Sequence, residues 1–196
     1  YLSERTGREF KLVIPKDFED FFAIIERGDA DFSYSNPYIY IQLANRGLLT
    51  AFANTVLEET GDIFRGIIIT HQDSPIRTVE DLKGKDVMVV SYRSAGGFLA
   101  QKLFLSESGI DVFRDLMLRE GKRQETVILN VYRKAADAGF VRESALDVLR
   151  EEIDLSRVRV LARTPYIPNW PFAATKRANG ELTTQVQQAL TELADR

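Results

Sequence analysis

The chain contains no cysteine. A disulfide framework, a thiolate metal site and a cysteine nucleophile are therefore excluded. The absence is compatible with an oxidising compartment without requiring one. Histidine occurs once, as His71. A Ser-His-Asp hydrolase would need it, and no G-x-S-x-G turn accompanies it. No run of 18 apolar residues exists, the length that a membrane-spanning helix needs. No signal-peptide pattern is visible. Basic runs are also absent. Lys and Arg number 26 against 29 Asp and Glu, a net charge of −3, which favours neither nucleic acid nor an anionic membrane surface. The adjacent carboxylates Glu58-Glu59 and Glu151-Glu152 diverge on a helix and read as solvated faces rather than acid–base or metal pairs. No metal site and no cofactor is expected.

What is present is ordinary for a globular chain of one large domain or two small lobes: 196 residues, 44% apolar and 28% charged. The opening "YLSERTGREFKLVIP" reads as the end of a helix followed by a strand at 11–14. "KDFEDFFAIIERGDADF" sets Phe18, Phe21, Phe22 and Ile25 at helical spacing, and Gly28 suits the helix stop. A strand follows at 30–34. Asn36 then fits an N-cap with Pro37 in the first helical position. Strands are expected at 48–53, 66–70, 86–91, 116–119, 138–142 and 157–162, the second of these fully apolar and hence buried. Helices are expected at 97–106, 124–133 and 144–152. A capping-box helix is expected near 78–81, and a terminal amphipathic helix carries Leu182, Val186, Leu190 and Leu193. This alternation implies an α/β class with mainly parallel sheets.

Two breaks, "THQDSPI" at 70–76 and "TPYIPNWP" at 164–171, suggest a chain that crosses out of one lobe and back. Residues 1–70 with 170–196 would form lobe one, and 71–169 lobe two. Ligands of such folds bind outside the carboxyl ends of strands.

Two strand-to-helix junctions carry the candidate chemistry. In "VVSYRSAGGFLAQKL", Ser94, Ala95, Gly96 and Gly97 open a helix whose free N–H groups and dipole attract anions. The same residues also suit a plain turn with a serine cap. In "DFSYSNPYIYIQL", Tyr34, Asn36 and Tyr38 lie at the matching turn of the first lobe. There Asn36 caps its helix, and the tyrosines serve either as ligand walls or as half-buried packing. Arg142 ends the strand "ADAGFVR", where a guanidinium can fork onto an oxyanion or form a surface ion pair with Glu143 or another carboxylate. His71 and Trp170 lie on the two crossings as hinge or wall candidates.

Taken together, "GDADFSYSNPYIYIQL", "RGIIITHQDSPIRTVEDLKGKDVMVVSYRSAGGFLAQKLFLSESGID", "KAADAGFVRESALDVL" and "RTPYIPNWPFAATK" resemble the phosphate/phosphonate-binding-protein-like family of the type 2 periplasmic-binding-protein fold. "NPYIYIQL", "ADAGFVRES" and "YIPNWPFAA" look like the subgroup fused to membrane sensor histidine kinases such as tetrathionate sensors. Transporter-associated members carry a Ser-Thr-Ser cluster where this chain has Tyr92-Arg93-Ser94-Ala95-Gly96-Gly97, one hydroxyl fewer. The resemblance implies a two-lobed fold lacking the first strand and helix of lobe one ahead of Tyr1. Dimerisation, swapping or a distorted lobe would offset that loss. It further implies a non-enzymatic extracytoplasmic domain, membrane-tethered in the full protein, which closes on a small anionic solute. Tyr34, Asn36, Tyr38, Tyr92, Ser94, Ala95, Gly96, Gly97 and Arg142 would line its ligand. Its partner would be a membrane signalling region such as a histidine kinase. The alternative is a free solute-binding component of a phosphonate-type ABC transporter, meeting a permease.

Overall fold

The computed structural model describes residues 1–58 and 60–194. Glu59, of the Glu58-Glu59 pair, and Asp195 and Arg196, where the terminal helix was expected to end, lie outside the described residues. The chain divides into two compact units, 1–62 with 168–196, and 63–167.

The first unit opens with α1 (Leu2–Thr6) and α2 (Phe18–Arg27). Asp17 caps α2 by accepting from the Asp20 N–H, and Gly28 ends it in the left-handed region at φ 72°. Next come β1 (Phe32–Tyr34), α3 (Pro37–Ala44) and β2 (Leu49–Asn54). Residues 11–14 form no strand, and Leu12, Val13 and Ile14 are 86%, 55% and 79% exposed. Their β-branched, apolar composition is a local signal, but a strand also needs a partner, and no described strand pairs with them.

The second unit runs through β3 (Ile63–Phe64), β4 (Gly66–His71), β5 (Asp86–Val89), α4 (Ala100–Glu107), α5 (Val112–Asp115), β6 (Met117–Glu120), α6 (Gln124–Tyr132), β7 (Ala138–Arg142), α7 (Ala145–Val148), β8 (Val158–Arg163) and β9 (Ile167–Pro168). Its main sheet has the order β6-β5-β7-β4-β8, and β3 pairs with β9. Strand β4 is buried at all positions. Alternate residues of it feed opposite faces. Ile68 packs with Phe98 and Leu105 on one side, and Ile67 and Ile69 pack with Val127, Ile128 and Val131 of α6 on the other.

The expectation of mainly parallel sheets needs correction. β5 is parallel to β6 and β7, but β4 is antiparallel to both β7 and β8, so the sheet is mixed. The first break is also displaced. Residues 70–76 do not leave the unit; they are the end of β4 and a turn held by Arg159, whose guanidinium donates to the carbonyls of Gln72, Ser74 and Ile76. The chain passes between units at 62/63 and 167/168. The expected helix at 144–152 contracts to α7. At 78–81 one half of the expected capping box forms: Asp81 reaches back to accept from the N–H of Thr78, and from that of Arg77.

The chain then returns to the first unit as β10 (Pro171–Thr175) and α8 (Gly180–Ala194). β10 is the central strand of an antiparallel sheet, β1-β10-β2. Ile25, Ile39, Leu43, Leu49 and Ala173 form that unit's core.

Candidate ligand-binding site

In the second unit, β5 runs into a loop that ends at Ser94. The Ser94 hydroxyl accepts from the Gly97 N–H at 3.1 Å, and its carbonyl accepts from Leu99 at 2.9 Å. That spacing of five makes Ala95–Leu99 a π turn, and α4 continues directly from it. The first N–H groups of such a run have no partner within the helix. Close packing explains the two glycines. A Cβ on Gly96 would meet the Phe64 ring at 2.5 Å, and one on Gly97 would meet Val90 Cγ2 at 2.5 Å.

Gln101, fully buried, holds this turn in place. Its Nε2 lies 2.9 Å from the Gly96 carbonyl, 3.0 Å from that of Ile67 in β4 and 3.1 Å from that of Val141 in β7.

Arg142 ends β7 beside the turn, its Cβ 3.5 Å from where a Gly96 side chain would begin. Its backbone N–H donates to Gln124 Oε1 at 3.0 Å, and its buried Nε has no partner. The competing expectation, an Arg142–Glu143 pair, is not what forms. Glu143 takes Arg65 in a forked contact at 2.5 and 3.1 Å, and Arg163 at 2.8 Å. Burial alone would raise the Glu143 pKa, but the two guanidiniums outweigh it and hold the carboxyl below its ordinary value. Arg65 is raised by the same bond and lies 4.6 Å over the Tyr166 ring. The rim of β7, β4 and β8 thus carries three guanidiniums and one carboxylate. Arg65 and Arg163, and their pairing with Glu143, are not visible in the sequence because antiparallel pairing, not chain proximity, assembles them.

Tyr92 is 40% exposed, and its ring contacts Phe98 and Phe113 at 5.1 and 5.7 Å. His71 does not join the rim. It pairs with Val158 at the far end of β4, about 17 Å along the strand from Gly66 and Arg142. Burial, then Lys134, lowers its pKa. Its Nδ1 accepts from the Asp73 N–H at 3.1 Å, and its buried Nε2 is unpartnered.

In the first unit, Tyr34 ends β1 with its ring 5.2 Å from Trp170 and 4.6 Å from Phe172. Its hydroxyl accepts from Thr55 Oγ1 at 3.0 Å. Asn36 Oδ1 caps α3 by accepting from the Ile39 N–H at 3.2 Å. Tyr38, partly buried, packs against the core cluster of Ile25, Ile39 and Leu43. The structure therefore brings Ser94, Ala95, Gly96, Gly97 and Arg142 together in one unit, and Tyr34, Asn36 and Trp170 together in the other. Among the described residues there is no cluster able to hold a metal ion, and no helix long and apolar enough to cross a membrane.

Comparison with known proteins gives a consistent result. The tetrathionate sensor histidine kinase of Salmonella typhimurium is 27% identical over 206 residues, which cover 96% of this chain and 35% of that protein. The chain thus spans about a third of the length of this relative. A binding-protein component of an ABC phosphonate transporter from Pseudomonas aeruginosa shares the fold with a TM-score of 0.80 at 18% identity, over 95% of this chain and 64% of that one. PhnD1 of Prochlorococcus marinus, solved in complex with methylphosphonate, gives 0.82 at 15% identity, over 95% and 73%. Residues 1–196 match the family described as ABC transporter, phosphonate, periplasmic substrate-binding protein. The fold is that of the type 2 periplasmic binding proteins, and the chain belongs to the phosphonate substrate-binding family.

Proposed function

We propose that this chain is the non-enzymatic ligand-binding domain of an extracytoplasmic sensor, taking a small oxyanion and reporting its binding to a membrane signalling region such as a histidine kinase. One observation carries the ligand class: Arg142, with an unpartnered Nε, stands beside a helix start whose first N–H groups have no partner within the helix. The sequence relative is a sensor kinase that names tetrathionate, and a structural neighbour holds methylphosphonate. Both ligands are oxyanions. The carboxylate at the rim, Glu143, is committed to two arginines and held ionised, which suits a structural ion pair better than a proton-transfer group.

The second reading is a free-standing binding component of a phosphonate transporter, and the family match favours it. Ligand-dependent autophosphorylation of the membrane protein bearing this domain supports the sensor; ligand-dependent uptake without it supports the transporter.

The binding test uses tetrathionate, methylphosphonate and sulfate as probes, by thermal shift and then calorimetry. Arg142→Ala is expected to weaken the bound anion by about 1.5–3 kcal/mol, and Ser94→Ala by about 0.5–1.5 kcal/mol, since backbone donors remain. Unchanged affinity in both variants, with folding intact by circular dichroism, refutes the assignment.

A further inference from the structure

The first unit buries polar atoms that nothing satisfies. Ser33 is 7% exposed, Ser35 6% and Asn169 3%. The hydroxyls of both serines and the Nδ2 of Asn169 have no hydrogen-bond partner. Leaving each such group dry costs about 1–3 kcal/mol. Thr60 Oγ1 of the same unit is also unpartnered, but Ser33, Ser35 and Asn169 are the three that belong to buried residues, and they call for an occupant.

Strand geometry places them. Tyr34 pairs with Phe172 and Ser33 with Ala173. Tyr34 and Phe172 meet through their rings, whereas Ala173 lies in the core with Ile39 and Leu43 of α3. Side chains alternate along a strand. Ser33 therefore shares the α3 side with Ala173, and Ser35 returns to it. Asn169 has the parity of Pro171 and Ala173 and takes the same side. One step beyond the last pair, Ser35 falls opposite Pro171, and Asn169 lies two residues before Pro171, its own N–H donating to the Asp62 carbonyl at 2.8 Å. The unsatisfied Ser35 and Asn169 groups thus lie on the approach to α3, which begins two residues after Ser35.

The remaining capacity there is for donating. Asn169 Oδ1 already accepts from the Trp170 N–H at 2.9 Å, and Asn36 Oδ1 from that of Ile39. What is left is the Ser35 hydroxyl, the Asn169 amide N–H groups and the Tyr38 N–H at the positive end of an eight-residue helix. We infer that Ser35 and Asn169, with the start of α3, form an oxyanion subsite of the first unit, taking a carboxylate, sulfonate or phosphonate oxygen. This rests on the reading of the chain as an anion-binding domain and adds donors that neither the sequence motif nor the family match assigns.

The test exploits a contrast. A serine hydroxyl that stabilises the fold lowers stability when removed. One left unsatisfied until ligand arrives does not, because its deletion also removes a desolvation cost. Ser35→Ala is expected to leave the melting temperature of the ligand-free protein unchanged or raised, while weakening tetrathionate or methylphosphonate roughly fivefold. Asn169→Asp keeps the acceptor used by Trp170 and exchanges the amide donor for a carboxyl. It is expected to weaken the same probe by roughly tenfold or more, and less so at low pH, where the new carboxyl is protonated. Sulfate serves as the single-centre oxyanion control. If Ser35→Ala and Asn169→Asp bind as wild type while Arg142→Ala loses affinity, the subsite is wrong and the anion-binding reading stands. A Ser35→Ala variant that melts lower yet binds normally marks a structural, water-satisfied hydroxyl and also overturns the subsite. A wild-type protein that binds none of the three probes overturns both.

Discussion

Replacing Gly97 by alanine puts a methyl group where there is no room. Its carbon would stand 2.5 Å from Val90 Cγ2, 2.8 Å from Val90 Cβ and 2.9 Å from Ser94 Oγ. A distal group could swing aside, but Val90 Cβ is fixed to the backbone, and the Val90 N–H donates to the Gly97 carbonyl at 3.2 Å. The turn itself must move, which breaks the Ser94 Oγ bond to the Gly97 N–H. Overpacking costs about 1–3 kcal/mol, and a lost serine cap about 0.5–2 kcal/mol. The better helix propensity of alanine returns about 1 kcal/mol. The net expectation is a loss of about 0.5–4 kcal/mol. At about 2–4 °C per kcal/mol for a chain of this size, the melting temperature should fall by roughly 1–16 °C. Gly96→Ala should cost less, since its closest neighbour is the rim of the Phe64 ring, which can turn. Gly180→Ala, with nothing within 4 Å, should be neutral or slightly stabilising. Thermal melts by circular dichroism and probe-anion calorimetry on the three variants check the ranking. A Gly97→Ala protein as stable as wild type, with unchanged anion affinity, would refute the packing argument and show that the turn has slack.

His71 predicts a pH dependence. Burial, Lys134 and Arg157 lower its pKa from 6.5 in the folded state, and Asp73 opposes them. Between the two values the unfolded chain binds a proton that the folded chain refuses, so stability is full above about pH 6.5 and falls as pH drops through that window. Urea midpoints of wild type and His71→Asn from pH 5 to 7.5 should diverge in slope; parallel curves would rule the effect out. Glu143→Gln removes the carboxylate shared by Arg65 and Arg163 and should cost about 1–2 kcal/mol, less than a fully buried pair because both partners are partly exposed. Because the folded pKa of Glu143 is depressed, its stabilisation is present above the ordinary carboxylate range and fades as pH falls through the folded value, so the wild type and the variant should converge in acid.

What could be read along the chain was local chemistry. Asn36-Pro37, Gly28, and Ser94 before paired glycines are signals complete within a few residues, and each marks the helix boundary it implies. The failures are all cases where the outcome depends on a partner far away in sequence. Residues 11–14 have strand composition, but no described strand pairs with them. "THQDSPI" looks like an exit from a domain, but Arg159, from a strand more than eighty residues on, folds it back as a turn. Arg142 and Glu143 are neighbours with opposite charge, and the sequence favours neither their pairing nor their separation. The antiparallel pairing of β4 with β7 and β8 decides it by delivering Arg65 and Arg163 to Glu143. That same pairing leaves Arg142 with its Nε unmatched. A motif reading finds the helix start that can receive an anion, but only the register of the sheet shows which of three arginines still has charge to offer it.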